Sequence, residues 1–97
     1  FVINANTVIG KHIIINSSSV IEHDNSINDF AHIGPNATLT GSVTVGEGTQ
    51  IGAAASVIPN AKIGSWCTIG AGSTVINNIP SYSKAVGSPA KVIEKVR

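Results

Sequence analysis

The sequence predicts an all-β solenoid, a coil of short parallel strands, and three observations carry that prediction. Aliphatic residues recur every six positions: Ile3, Ile9, Ile15, Ile21, Ile27, Ile33, Leu39, Val45, Ile51, Val57, Ile63, Ile69 and Val75. That is thirteen hexads without a slip, and a period of six does not fit an α-helix of 3.6 residues per turn. Second, small residues predominate four places past the aliphatic: Thr7, Ser19, Ala31, Ala37, Thr49, Ala55, Ala61, Cys67 and Ser73. Third, the aliphatics are almost all isoleucine and valine, which suit strands better than helices.

Each hexad supplies one short strand and one corner. The bulky aliphatic points inward, and the small residue points inward where the turn leaves little room. Glycine often follows the aliphatic, at positions 10, 34, 46, 52, 64 and 70, where we expect it to relieve a tight corner that needs positive φ. Stacked coils hydrogen-bond to one another at a spacing of about 4.8 Å. The phase ends after Pro80, which divides the chain into a solenoid over 1–80 and a closing segment over 81–97. The last seven residues, from Lys91 to Arg97, read equally as a short helix or an extended strand. A short C-terminal cap is expected there, because an open coil end exposes strand edges and core.

Composition narrows the function. Six Lys and Arg against five Asp and Glu give a net charge of +1 with no basic block, so nothing marks a nucleic-acid surface. The longest apolar stretch is Ile13-Ile14-Ile15, far short of the roughly 20 residues of a membrane span. A lone cysteine, Cys67, cannot form an intramolecular disulfide, which fits a reducing, cytoplasmic compartment. The chain has no methionine and starts at Phe1, as a piece of a longer product would.

The hexad pattern resembles that of the hexapeptide-repeat acyltransferases. The resemblance implies a left-handed parallel β-helix with three hexads, hence eighteen residues, per coil; the ordinary crossover rule alone favours the right hand. Eighteen-residue coils turn spacing into spatial columns. His23, Gly41, Pro59 and Asn77 form one, Pro35, Ala53 and Ala71 a second, and His12, Phe30, Gly48 and Trp66 a third. His23 lies two past an inward aliphatic and so faces out near a corner, with Gly41 stacked on it. Acyl transfer needs a base for the acceptor and a donor for the tetrahedral oxyanion. An imidazole, with an ordinary pKa of about 6.5, suits the first role, and a glycine amide suits the second. Asp24 is placed to hold the imidazole tautomer. On spacing alone, His23 and Asp24 read equally as solvated corner residues.

The run from Ile15 to Asp24, followed by Phe30-Ala31-His32-Ile33, is similar to bacterial sugar acetyltransferases. That branch includes UDP-amino-sugar N-acetyltransferases of bacillosamine-type pathways and sialic acid O-acetyltransferases. The resemblance implies that His23 is the general base, assisted by Asp24, that His32 lies near the acetyl-CoA thioester, and that Gly41 contributes its amide. It further implies acetyl-CoA as co-substrate without a metal, a homotrimer with the cofactor between adjacent helices, and an N-terminal sugar-nucleotide-binding domain absent from this piece. Val8, Ile14 and Val20, at outward positions, fit a packed interface between subunits. Asn16 either hydrogen-bonds substrate or stabilises its turn, and Asn25, at an inward position, caps a backbone group. Ala53 and Ala71 line the pantetheine arm. Gly87-Ser88-Pro89-Ala90-Lys91, where the family usually has Gly-Asn-Pro-Ala, implies nucleotide contacts at Gly87 and a phosphate contact at Lys91. His12, Phe30 and Trp66 make an aromatic corner ridge suited to packing.

Three rival readings use the same fold. A non-sugar hexapeptide acetyltransferase would keep the cofactor groove and change the acceptor. A γ-type carbonic anhydrase needs three histidines converging on zinc, with a close pair five apart, whereas His12, His23 and His32 are spaced by eleven and nine. A non-catalytic ice-binding scaffold would want regular threonine ladders on one face, which Thr38, Thr40 and Thr44 do not make.

Overall fold

A computed structural model describes residues 2–95; Phe1, Val96 and Arg97, the ends of the two predicted segments, lie outside the described residues. The repeat becomes a parallel β-solenoid with three faces, about 33 Å in its longest dimension. The first face stacks Val2–Ile3, Val20–Ile21, Thr38–Leu39, Ser56–Val57 and Thr74–Val75. The second stacks Val8–Ile9, Ser26–Ile27, Thr44–Val45 and Lys62–Ile63. The third stacks Ile14–Ile15, His32–Ile33, Gln50–Ile51 and Thr68–Ile69, then continues into Ser83–Val86 and Lys91–Lys95. Partners are eighteen residues apart, as in Val2↔Val20 and His32↔Gln50, so each coil consumes three hexads.

The hexad aliphatics fill the interior: Ile21, Ile33, Leu39, Val45, Val57 and Val75 are fully inaccessible, each burial stabilising by about 1.5–3 kcal/mol. Polar residues at the small inward positions satisfy backbone groups that the corners leave over. Ser19 Oγ donates to Gly34 O at 2.7 Å and Thr49 Oγ1 to Gly64 O at 2.6 Å. Asn25 is the largest of them. Its Nδ2 donates to Glu22 O at 2.7 Å, and its Oδ1 accepts the Val43 N–H at 2.8 Å.

The glycine expectation needs correcting. Positive φ falls three places past the aliphatic, at every sixth residue from Asn6 to Gly72, and only Gly48 and Gly72 of that series are glycine. Asn, Asp and Ser hold many of these sites because short polar side chains tolerate the left-handed region. The glycines directly after the aliphatic serve close approach instead. A Cβ on Gly34 would lie 2.8 Å from both Ala53 N and Ile51 O of the next coil, so coils could not stack at strand spacing.

The phase does not end at Pro80 either. It slips by two residues after Val75 and resumes: Ile79 bridges Ile63, and Ala85 pairs Ile69, each sixteen residues on. The shortened corner is completed by a side chain, since Asn78 Oδ1 accepts the Lys62 N–H at 2.8 Å. The ambiguous tail is a strand. Lys91–Lys95 pairs antiparallel with Ser83–Val86 and closes the C-terminal end of the third face. At the other end the first coil is open, with Ile3 and Ile9 more than a third exposed.

Candidate active site

The corner between the first and second faces carries His23 and Asp24. Asp24 occupies the positive-φ site (φ 61°), and its amide donates to Ala5 O of the preceding coil at 3.0 Å. That backbone turns the carboxylate toward its neighbour, and Asp24 Oδ2 lies 2.9 Å from His23 Nδ1. Both side chains are solvent-facing. The imidazole lies against the next coil at Gly41, where an added Cβ would sit 3.4 Å from Cε1 and 3.6 Å from Nε2. Only a residue without a side chain leaves that ring edge and the Gly41 backbone open together.

The Gly41 amide is available because of its place in the hexad. The coil-to-coil ladder uses the amides one, three and five places past the aliphatic, as at Glu22, Asp24 and Ser26. Two places past, the amides of His23, Gly41, Ala53 and Ala71 have no acceptor among the described residues. Pro35 and Pro59 occupy the same position in other coils, where a missing donor costs nothing.

His32 stands elsewhere, on the outer side of the third face, across the triangle from the His23 corner. Its Nε2 lies 2.7 Å from Asn16 Nδ2, and the same Asn16 amide reaches Ile33 O at 3.3 Å. Asn16 and His32 are therefore one polar unit, a pairing that the spacing of sixteen residues did not disclose. From His32 a groove of about 350 Å³ runs toward the C-terminal end, lined by Gln50, Thr68, Pro35, Ala53 and Ala71. His32, Ala53 and Ala71 are thus brought together, apart from His23, Asp24 and Gly41.

The C-terminal residues divide. The Gly87 N–H is taken by Ser73 Oγ at 3.1 Å, so this amide is not free to meet a ligand. Lys91 lies in the outermost strand, paired with Val86. Sequence reasoning missed Lys84, which pairs Thr68 and so extends the Gln50–Thr68 row of the groove. The signal was present: once the phase restarts at Ile79, Lys84 stands before Ala85 as His32 stands before Ile33. The histidines do not converge within the chain. His12 stacks on Phe30 at 5.3 Å on the corner between the second and third faces, and among the described residues no three His, Cys, Asp or Glu side chains gather as a metal set.

Known proteins share this fold. Residues 42–77 match the family described as bacterial transferase hexapeptide (six repeats). A point mutant of perosamine N-acetyltransferase from Caulobacter crescentus, in complex with CoA and GDP-perosamine, is 39% identical with a TM-score of 0.94, covering 96% of this chain and 45% of that one. The acetyltransferase domain of PglB from Neisseria gonorrhoeae FA1090, in complex with acetyl coenzyme A, is 26% identical with a TM-score of 0.83, covering 95% and 54%. A serine acetyltransferase in complex with cysteine is 28% identical with a TM-score of 0.89, covering 96% and 41%. The chain spans about half the length of these solved proteins.

Proposed function

Because the chain belongs to the hexapeptide-repeat acyltransferases, we propose that it transfers an acetyl group from acetyl-CoA to the amino group of a nucleotide-linked sugar. The observation that carries this reading is His23, held at 2.9 Å by Asp24 and lying against Gly41. With Nδ1–H donated to the carboxylate, Nε2 is the free base. It takes the proton of the acceptor amine as nitrogen attacks the thioester carbonyl. The C–N bond forms, the Gly41 N–H receives the developing oxyanion, and the C–S bond breaks to release CoA. No acyl-enzyme is needed. The sugar and the amino acceptor are supported by two of the solved structures, one holding CoA with GDP-perosamine and the other acetyl coenzyme A.

The base lies on one corner and the groove for the acyl carrier on the opposite face, so one chain does not close the site alone. Side-by-side packing of copies, as a homotrimer, brings the His23 corner of one to the His32 groove of the next. Asn16 then holds the imidazole of His32 beside the thioester. The test is acetyl transfer from acetyl-CoA to a panel of nucleotide-linked amino sugars. His23→Ala should lower kcat by about two orders of magnitude or more, the usual worth of a general base. Retained turnover would remove His23 from the mechanism.

A further inference from the structure

The row of outward residues on the third face runs Ile14, His32, Gln50, Thr68 and Lys84, one residue per coil. From His32 to Lys84 is three coil spacings, roughly 14 Å at about 4.8 Å each. An extended pantetheine arm has thirteen bonds between sulfur and its first phosphorus. At about 3.5 Å per three backbone bonds this spans roughly 15 Å. The two lengths agree. A thioester held at His32 therefore brings the first phosphate of the carrier to the coil that ends in Lys84.

Lys84 is suited to meet it. Its side chain is half-buried, and among the described residues its ammonium has no hydrogen-bond or ion-pair partner. Glu94 stands opposite in the hairpin register without forming an ion pair, and Lys91, opposite Val86, adds a second cation on the outermost strand. Between His32 and Lys84 the row offers the uncharged polar side chains of Gln50 and Thr68, with no charge to compete for the ligand.

We infer that Lys84 binds the phosphate that joins the pantetheine arm to the nucleotide, so that the groove measures its ligand from His32 to Lys84. The inference rests on the acetyl-CoA reading above and adds to it which cation reads the phosphate, at what distance from the thioester. It is tested by calorimetric titration of the wild-type protein, Lys84→Gln and Lys91→Gln with CoA, 4′-phosphopantetheine and pantetheine, with melting curves to show that each variant is folded. The wild type should prefer 4′-phosphopantetheine to pantetheine by about tenfold or more, as a charge-assisted contact warrants. Lys84→Gln should abolish that preference while leaving pantetheine affinity unchanged, and Lys91→Gln should retain it. A preference that survives in Lys84→Gln, or disappears only in Lys91→Gln, overturns the assignment. CoA that fails to bind the wild type removes the acetyl-CoA reading itself, and this inference with it.

Discussion

Asn25→Ala tests how the His23 corner is braced. Asn25 is 1% exposed, and its amide joins two coils, donating to Glu22 O at 2.7 Å and accepting from Val43 N at 2.8 Å. Truncation strands the Val43 N–H in a sealed interior, while Glu22 O keeps the bond it accepts from Thr7 Oγ1 at 3.0 Å. A buried group left without a partner costs about 1–3 kcal/mol, so the loss should be about 2 kcal/mol. For a domain of this size each kcal/mol lowers Tm by roughly 4–8 °C, giving a fall of roughly 12 °C. The assay is guanidinium unfolding followed by far-UV circular dichroism at one fixed protein concentration, since association shifts apparent stability. The midpoint should fall with the slope m unchanged. Because Glu22 immediately precedes His23, turnover should also fall in the fraction that remains folded. A loss below about 1 kcal/mol would show that water or a shifted backbone serves the Val43 amide, and would refute the claim that this side chain is its required partner.

Two further substitutions separate stability from chemistry. Gly41→Ala places a methyl 3.4 Å from His23 Cε1 without backbone strain; it should cost under about 1 kcal/mol of stability yet lower kcat by about tenfold or more, and unchanged turnover would exclude Gly41 from the site. Ser83→Ala removes a buried hydroxyl that has no partner among the described residues; it should raise stability by up to about 1 kcal/mol, and a clear drop in the denaturation midpoint would show that the hydroxyl is bonded after all.

The solenoid was legible because every coil repeats one physical demand, a large inward aliphatic followed by a small inward corner residue. Handedness was not, since neither spacing nor composition distinguishes left from right, and only the family resemblance addressed it. Glycine was misassigned for an instructive reason. Sequence shows that a residue lacks a side chain but not whether torsion or clearance demands it, and here Gly34 serves clearance while Asp24 and Phe30 accept the positive φ. The His23–Asp24 pair could be read from adjacency. The Asn16–His32 pair could not, because it joins the residue just past one coil's strand to the outward residue of the next, sixteen positions on. Lys84 was hidden by the two-residue slip before Ile79, which moves it out of the eighteen-residue column.

The same hexad that builds the scaffold also decides where chemistry can occur. Ladder bonds absorb the amides one, three and five places past each aliphatic and leave the second free. A solenoid of this kind therefore leaves one corner amide per coil outside the ladder, and neighbouring side chains set its use, as where Asp29 and Ser81 accept from the amides of Lys11 and Ser65. Proline cancels the donor, as at Pro35 and Pro59. Small residues leave it open at Gly41, Ala53 and Ala71, and beside the His23 ring only glycine does so. On the His23 corner the open amide of Gly41 lies beside the imidazole, bounded by Pro59 one coil on. On the corner between the third and first faces, the two successive open amides of Ala53 and Ala71 flank the groove that starts at His32. One donor beside a base suits a localised oxyanion, and two donors about 4.8 Å apart suit an extended amide-bearing chain. On each corner a proline bounds the open donors, Pro59 after Gly41 and Pro35 before Ala53.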